Sequence, residues 1–242
     1  AAILAAKENS KLPIFATFVL DESGKTMTGC DIPSMVAMLE SLGVSALGVN
    51  CSLGADKLKA FVPELIANAS VPVIVNPNAG MPCIHDGKTC FDDTPDSFLS
   101  NMLEIAEMGA RVLGGCCGTT PEYIKKVTGA LKNSAPKNIE KKNFTVASSY
   151  SKSCVFDKKC VLIGERINPT GKSKFKAALR ENNMDYIISE AIGQEESGAH
   201  MLDVNVGLPE IDEVDFLTRA IKEIQSVSTL PLQIDTSNAA AL

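Results

Sequence analysis

Short apolar runs alternate along the chain with longer segments whose apolar residues recur at three- and four-residue spacing, a pattern that predicts βα units around a parallel sheet. LPIFATFVL (12–20), SALGVNC (45–51), VPVIVNP (71–77) and ARVLGGC (110–116) are the first strand candidates. The helical segments are SMVAMLESLG (34–43), DKLKAFVPELIANA (56–69), TPDSFLSNMLEIAEMG (94–109) and PEYIKKVTGAL (121–131). Asp96 after Thr94-Pro95 suits a helix first turn, and Gly43 and Gly109 stand where helices should stop. From Lys132 to Lys159 the pattern gives way to Lys, Asn, Ser and Pro, the composition of a linker. It then restarts, with strands expected at VLIGERI (161–167), HMLDVNV (200–206) and LPLQIDT (230–236), and helices at 174–198 and 212–226.

Four strands before the linker and three after it fall short of the eight in a closed (β/α)₈ barrel. The expected fold is therefore α/β, two partial (β/α)₈ TIM-type barrels joined by a linker: residues 1–132, the linker 133–159, and residues 160–242. The chain opens within a helical pattern and stops just after a strand, as an excised fragment would, and open sheet edges would favour self-association.

Charge excludes some partners. A formal net charge of −6 and a pI near 5.1 argue against a phosphate backbone, whose binding rests on Lys and Arg. The densest basic run, Lys137, Lys141 and Lys142, reads as solvated linker. No stretch of about 18 uninterrupted apolar residues predicts a membrane helix, and AAILAAKENS lacks the basic start of a signal peptide. Eight cysteines without an export signal suggest a reducing, cytoplasmic setting in which cysteine clusters serve metal or catalysis.

Three cysteines stand at expected strand ends: Cys51 closes SALGVNC, and Cys116 and Cys117 close ARVLGGCC. In parallel βα folds these ends share one mouth, and three thiolates plus an exchangeable position is the ligand set of a catalytic zinc centre. Gly114, Gly115 and Gly118 would let the backbone aim both adjacent sulfurs at one ion. The alternative is a buried apolar Cys51 beside a chance cysteine pair. Cys30, Cys83, Cys90, Cys154 and Cys160 lack such a setting and are expected in core or surface roles. Asn78, in NPNAG, lies at the same mouth and suits either a turn or a ligand.

GVNCS and GGCCGTTPEYI, with PIFATFVLDESGKTMTG and VPVIVNPNAG, resemble the homocysteine S-methyltransferase family. The resemblance implies a (β/α)₈ barrel in which Cys51, Cys116 and Cys117 bind zinc, zinc binds the homocysteine sulfur, and the Asn78 amide oxygen fills the fourth position until substrate displaces it.

After the linker, GERINPTGK, LDVNVG and QIDTS each end an apolar run in polar residues, which are costly there unless paired or used. These motifs resemble the pterin-binding family, nearer its methyltetrahydrofolate-dependent methyltransferase branch. By that resemblance Glu165, Asn168 and Asp235 contact a pterin, with Asp203 and Asn205 lining the same mouth; carboxylates complement the N–H donors of an aminopyrimidinone edge. Neither GxGxxG nor GxxxxGK[ST] occurs, so a nucleotide site has no motif support.

A homocysteine module followed by a pterin module is the order of the cobalamin-dependent methionine synthases. The implied reaction moves a methyl group from 5-methyltetrahydrofolate through cobalamin to homocysteine. The cobalamin would be carried by a corrinoid domain of the parent protein, outside this chain. The alternatives are a corrinoid- or thiol-dependent methyltransferase with another acceptor, and a non-catalytic metal-binding fragment.

Overall fold

The computed structural model describes residues 1–157 and 159–242, and these form two compact units, Ala1–Asn143 and Phe144–Leu242. The fold is α/β with parallel sheets.

The first unit runs α1 (Ala2–Asn9), β1 (Phe15–Phe18), α2 (Ile32–Ser41), β2 (Ala46–Gly54), α3 (Ala55–Leu58), α4 (Val62–Asn68), β3 (Val73–Asn78), β4 (Pro82–His85), β5 (Lys88–Phe91), α5 (Pro95–Met108), β6 (Val112–Leu113) and α6 (Pro121–Leu131). Strands β1, β2, β3 and β6 lie side by side in that order, all parallel. Two of these helices, α2 and α5, start under side-chain caps: the Asp31 carboxylate accepts from Ser34 N–H at 2.8 Å, and Thr94 Oγ1 accepts from Ser97 N–H at 3.3 Å. Gly109, at φ 122°, ends α5. One face of β2 and β3 packs under the helices, so Leu47, Val49, Val73 and Val75 are buried with Val36, Leu65, Phe98 and Met102, while the other face carries Gly48, Asn50, Ile74 and Asn76.

The single helix expected over 56–69 is two. Pro63 stands in the first turn of α4, where its missing N–H costs nothing, but it could not continue α3. The β4–β5 hairpin was not anticipated. Its strands are short and mostly exposed, so they lack the apolar alternation that marks a strand.

The second unit runs β7 (Thr145–Ser148), β8 (Ser153–Phe156), β9 (Ile163–Ile167), α7 (Ser173–Arg180), α8 (Met184–Glu196), β10 (Met201–Val204), α9 (Glu213–Val227) and β11 (Leu232–Ile234). A three-stranded parallel sheet has the order β11, β10, β9, with β10 buried along its whole length. Ile167, Leu202, Val204, Phe175, Ile187 and Ile224 share its core. The helix expected over 174–198 breaks at Asn182, at φ 54°, and restarts where Asn183 Oδ1 accepts from Tyr186 N–H at 3.1 Å.

The expected linker, 133–159, carries structure, with position 158 outside the described residues. Within the first unit Arg111 donates to the Lys137 carbonyl at 2.9 Å, and Lys142 N–H donates to Ser70 Oγ at 3.2 Å. Within the second, β7 and β8 form an antiparallel hairpin whose Ser149 hydroxyl donates to the Thr229 carbonyl at 2.7 Å. Polar composition is shared by a half-buried hairpin, a docked coil and a linker, so composition alone does not tell them apart.

Candidate metal centre and a carboxylate cluster

β2 does not simply end at Cys51. Cys51 and Ser52 both take left-handed backbone angles, φ 61° and 65°, and pairing with β3 shifts register between Asn50 and Gly54 before Gly54 meets Asn78. Left-handed geometry costs a non-glycine residue about 1–2 kcal/mol, so two in succession persist only because the surrounding packing holds them. Such a bulge re-aims a side chain. The left-handed pair carries no glycine, so no sequence signal announced it.

From the far side of β3, the segment after β6 brings in the other two sulfurs. The Cys116 amide donates to the Pro77 carbonyl at 2.7 Å, and the Ala79 amide donates to the Cys117 carbonyl at 2.9 Å. Both glycines beside the pair are required. A Cβ on Gly115 would lie 2.4 Å from the Thr119 side chain; one on Gly118, already at φ 81°, would lie 2.4 Å from the Phe91 ring.

The result is a triangle of thiols. Cys51 Sγ lies 3.7 Å from Cys117 Sγ, and Cys116 Sγ lies 4.0 Å from Cys117 Sγ. All three sulfurs fall within 4.8 Å of one another, which among the described residues is the one such group of three or more His, Cys, Asp or Glu ligands. Ligands on a tetrahedral zinc at about 2.3 Å stand about 3.8 Å apart. The triangle therefore has the size of three corners of a zinc tetrahedron.

Asn78, at the end of β3, is buried, and its Oδ1 accepts from the Cys117 amide at 3.1 Å. That bond joins β3 to the cysteine segment and leaves a second lone pair on the oxygen. The thiols share their protons unequally. The Ser52 amide beside Cys51 holds that thiol below its ordinary pKa. Cys117 is pushed up to about 11, because its neighbours Cys51 and Cys116 make a further negative charge unfavourable. A divalent cation would relieve that repulsion.

In the second unit the polar residues collect at the carboxyl ends of β9, β10 and β11. Asp203 is buried and accepts from Gln233 Nε2 at 2.8 Å. Asn205 Nδ2 donates to Asp235 Oδ2 at 2.9 Å, while its Oδ1 accepts from Gly207 N–H at 2.8 Å. Glu165 pairs with Lys172 at 2.9 Å. Asn168, also buried, turns its Oδ1 to the Thr170 amide at 2.8 Å, a local turn. Four of the five anticipated residues thus sit in one electrostatic neighbourhood, and Gln233 and Lys172 belong to it as well. Gln233 was the more legible omission, since it alternates with Asp235 along QIDTS.

Burial, with Asp235 and Glu165 nearby, raises the Asp203 pKa above 3.8. In the window between 3.8 and the raised value the folded state binds more protons than the unfolded one, so stability falls as pH rises through it. Asp203→Asn is accordingly expected to raise the thermal midpoint at pH 7 by roughly a few degrees, with the gain vanishing below about pH 3.8. Thermal scans of both proteins from pH 3 to 8 check this; a gain that persists in acid would remove burial as its cause.

Two family models match the chain. Homocysteine S-methyltransferase covers residues 1–131, more than half of it, and includes every residue of the thiol triangle. The chain belongs to the homocysteine S-methyltransferase family. Pterin binding enzyme covers residues 164–242, including the carboxylate cluster. Among curated relatives, the methionine synthase of Mycobacterium tuberculosis is 31% identical over 234 residues, and that of Mycobacterium leprae is 30% identical over 239. Each alignment covers 96% of this chain, which spans about a fifth of either relative's length (20%). Among solved structures, the metallated form of the Escherichia coli homocysteine methyltransferase MmuM aligns with 53% of this chain and 39% of its own, at a TM-score of 0.44 and 24% identity.

Proposed function

We propose that the chain is the metal-centre and pterin-site portion of a methyltransferase that methylates homocysteine, giving methionine, with 5-methyltetrahydrofolate as methyl source and cobalamin as carrier. The observation that carries this assignment is the thiol triangle, formed by Cys51, Cys116 and Cys117 inside the region matched to the homocysteine S-methyltransferase family. The pterin match and the carboxylate cluster within it support folate as the second substrate. Cobalamin rests on the likeness to methionine synthases alone, with a corrinoid domain elsewhere in the parent protein. The two parallel sheets are then parts of two (β/α)₈ barrels, the first module ending near residue 132 and the second beginning near residue 160. No helix among the described residues is long and apolar enough to cross a membrane, and thiols that must stay reduced suit a cytoplasmic setting.

Cys51, Cys116 and Cys117 would hold zinc. Bound there, zinc would lower the pKa of an incoming thiol from about 8.5 while leaving the sulfur nucleophilic. The chain's own contribution is placement. The Ser52 amide favours the thiolate of Cys51, the Pro77 and Ala79 backbone fixes the Cys116-Cys117 segment, and Asn78 holds the Cys117 amide beside Cys51. In the second unit, Gln233 orients Asp203 and Asn205 orients Asp235, leaving carboxylate oxygens for the N–H groups of a pterin.

A soft thiolate should displace a neutral amide oxygen from zinc. X-ray absorption of the zinc-loaded protein is therefore expected to show one light-atom ligand from Asn78 that is lost, with one sulfur gained, when homocysteine is added. An all-sulfur shell before substrate would sink the role of Asn78, and an unchanged shell after it would sink homocysteine as the ligand.

A further inference from the structure

A second pair of cysteines faces across the β4–β5 hairpin. Its tip, Asp86 and Gly87, takes φ of 51° and 72°, both positive as in a type I′ turn, which fixes the register of a two-residue hairpin. That register sets Cys83 directly opposite Cys90. Opposed residues of antiparallel strands have Cα atoms about 4.5–5.5 Å apart, inside the span of about 4.4–6.8 Å that a disulfide bridges. Cys90 Sγ lies 3.3 Å from the Cys83 carbonyl oxygen, and Cys83 is exposed with Cys90 half-buried. The Cys90 thiol beside Cys83 pushes the Cys83 pKa up, as two sulfurs in mutual reach would. Neither cysteine belongs to the thiol triangle.

The hairpin is rooted at the metal centre. It leaves β3 just after Asn78, and its two ends are tied where Met81 N–H donates to Asp92 Oδ1 at 2.7 Å and Asp93 N–H donates to the Ala79 carbonyl at 3.1 Å. The Phe91 ring packs on Gly118, next to Cys117.

We propose that Cys83 and Cys90 are a reversible disulfide site that locks this hairpin beside the metal centre. The co-reactant is a small-molecule disulfide such as oxidised glutathione. The thiolate of one cysteine attacks a sulfur of that disulfide and expels one glutathione thiolate, giving a mixed disulfide. The second cysteine's thiolate then attacks the protein sulfur of the mixed disulfide and expels the other. Two cysteine sulfurs are oxidised, one glutathione disulfide is reduced to two thiols, and the cysteine protons pass to the departing thiolates through solvent.

The sequence supplies an unambiguous readout, because Lys88 lies between the two cysteines. After equilibration of the full chain in glutathione buffers of rising oxidation, alkylation and non-reducing tryptic digestion, residues 60–88 should be found joined to residues 89–111. Each of these peptides holds one cysteine, and the joined species should be two hydrogens lighter than their sum and lost on reduction. It should form with or without added zinc, which separates it from the fate of the thiol triangle. In a Cys90→Ser variant, Cys83 should instead accumulate as the glutathione adduct. Cys83 and Cys90 both alkylated throughout, each carrying its own glutathione, or joined to Cys51, Cys116 or Cys117 in preference to one another, would each overturn the proposal. So would a Cys83 that stays free of glutathione in the variant.

Discussion

Replacing Cys116 by alanine should take the protein from about one zinc per chain to almost none after dialysis against a chelator. The three sulfurs, with separations of 3.7 Å and 4.0 Å from Cys117, have the spacing of one tetrahedral face, and no fourth thiol stands by to replace a missing corner among the described residues. Changes to groups that merely orient a metal ligand already cost about 10–100-fold in affinity; deleting a ligand should cost more. Elemental analysis beside a chelator titration measures it, with Cys154→Ala as a control that removes a buried thiol outside the triangle. Circular dichroism separates loss of metal from loss of fold. An unchanged zinc stoichiometry in the folded Cys116→Ala protein would falsify the assignment of the site.

How much of this centre was legible beforehand depends on which physical signal each residue leaves. Cys116 and Cys117 were legible because the glycines around them have no purpose in an ordinary strand, and Gly115 and Gly118 indeed occupy places where a Cβ would collide with Thr119 and Phe91. Cys51 was legible as a strand residue near the mouth, but its left-handed backbone was not. That conformation is imposed by pairing on either side of a bulge, a tertiary constraint with no local residue preference. The strand positions and the parallel sheet were legible from short apolar runs such as Val73 to Val75 between helical segments, whereas the strand order was not. The β4–β5 hairpin escaped notice because short, exposed strands carry little hydrophobic patterning, though Asp86-Gly87 is itself a turn signal of known type; β7 and β8, though half-buried, are only four residues each and stand in a polar stretch. In the second unit, Asp203 and Asp235 stood out as acids at the ends of apolar strands. Gln233 and Lys172, which position or neutralise them, did not stand out, because neutral amides and surface lysines are common everywhere.

Homocysteine should bind this chain far better than 5-methyltetrahydrofolate, even though Glu165, Asn168 and Asp235 are all present. The two ligands depend on different amounts of the fold. On the proposed function homocysteine needs only a metal held by three thiols, and β2, β3 and the segment after β6 already bring those thiols within 4.8 Å of one another. A pterin needs polar groups around its whole edge, fixed by a surrounding shell. The second unit offers a parallel sheet of three strands, β9, β10 and β11, with Glu165 and Asp235 exposed at their ends. If two charge-assisted hydrogen bonds from further strands are missing, at about 1.5 kcal/mol each or more, the loss is about 100-fold in affinity. Calorimetry of both ligands on one zinc-loaded preparation, beside a complete (β/α)₈ pterin-binding enzyme as reference, makes the comparison. Folate affinity equal to that of the reference enzyme would mean that three strands suffice, and the second unit would then have to be regarded as a whole binding module.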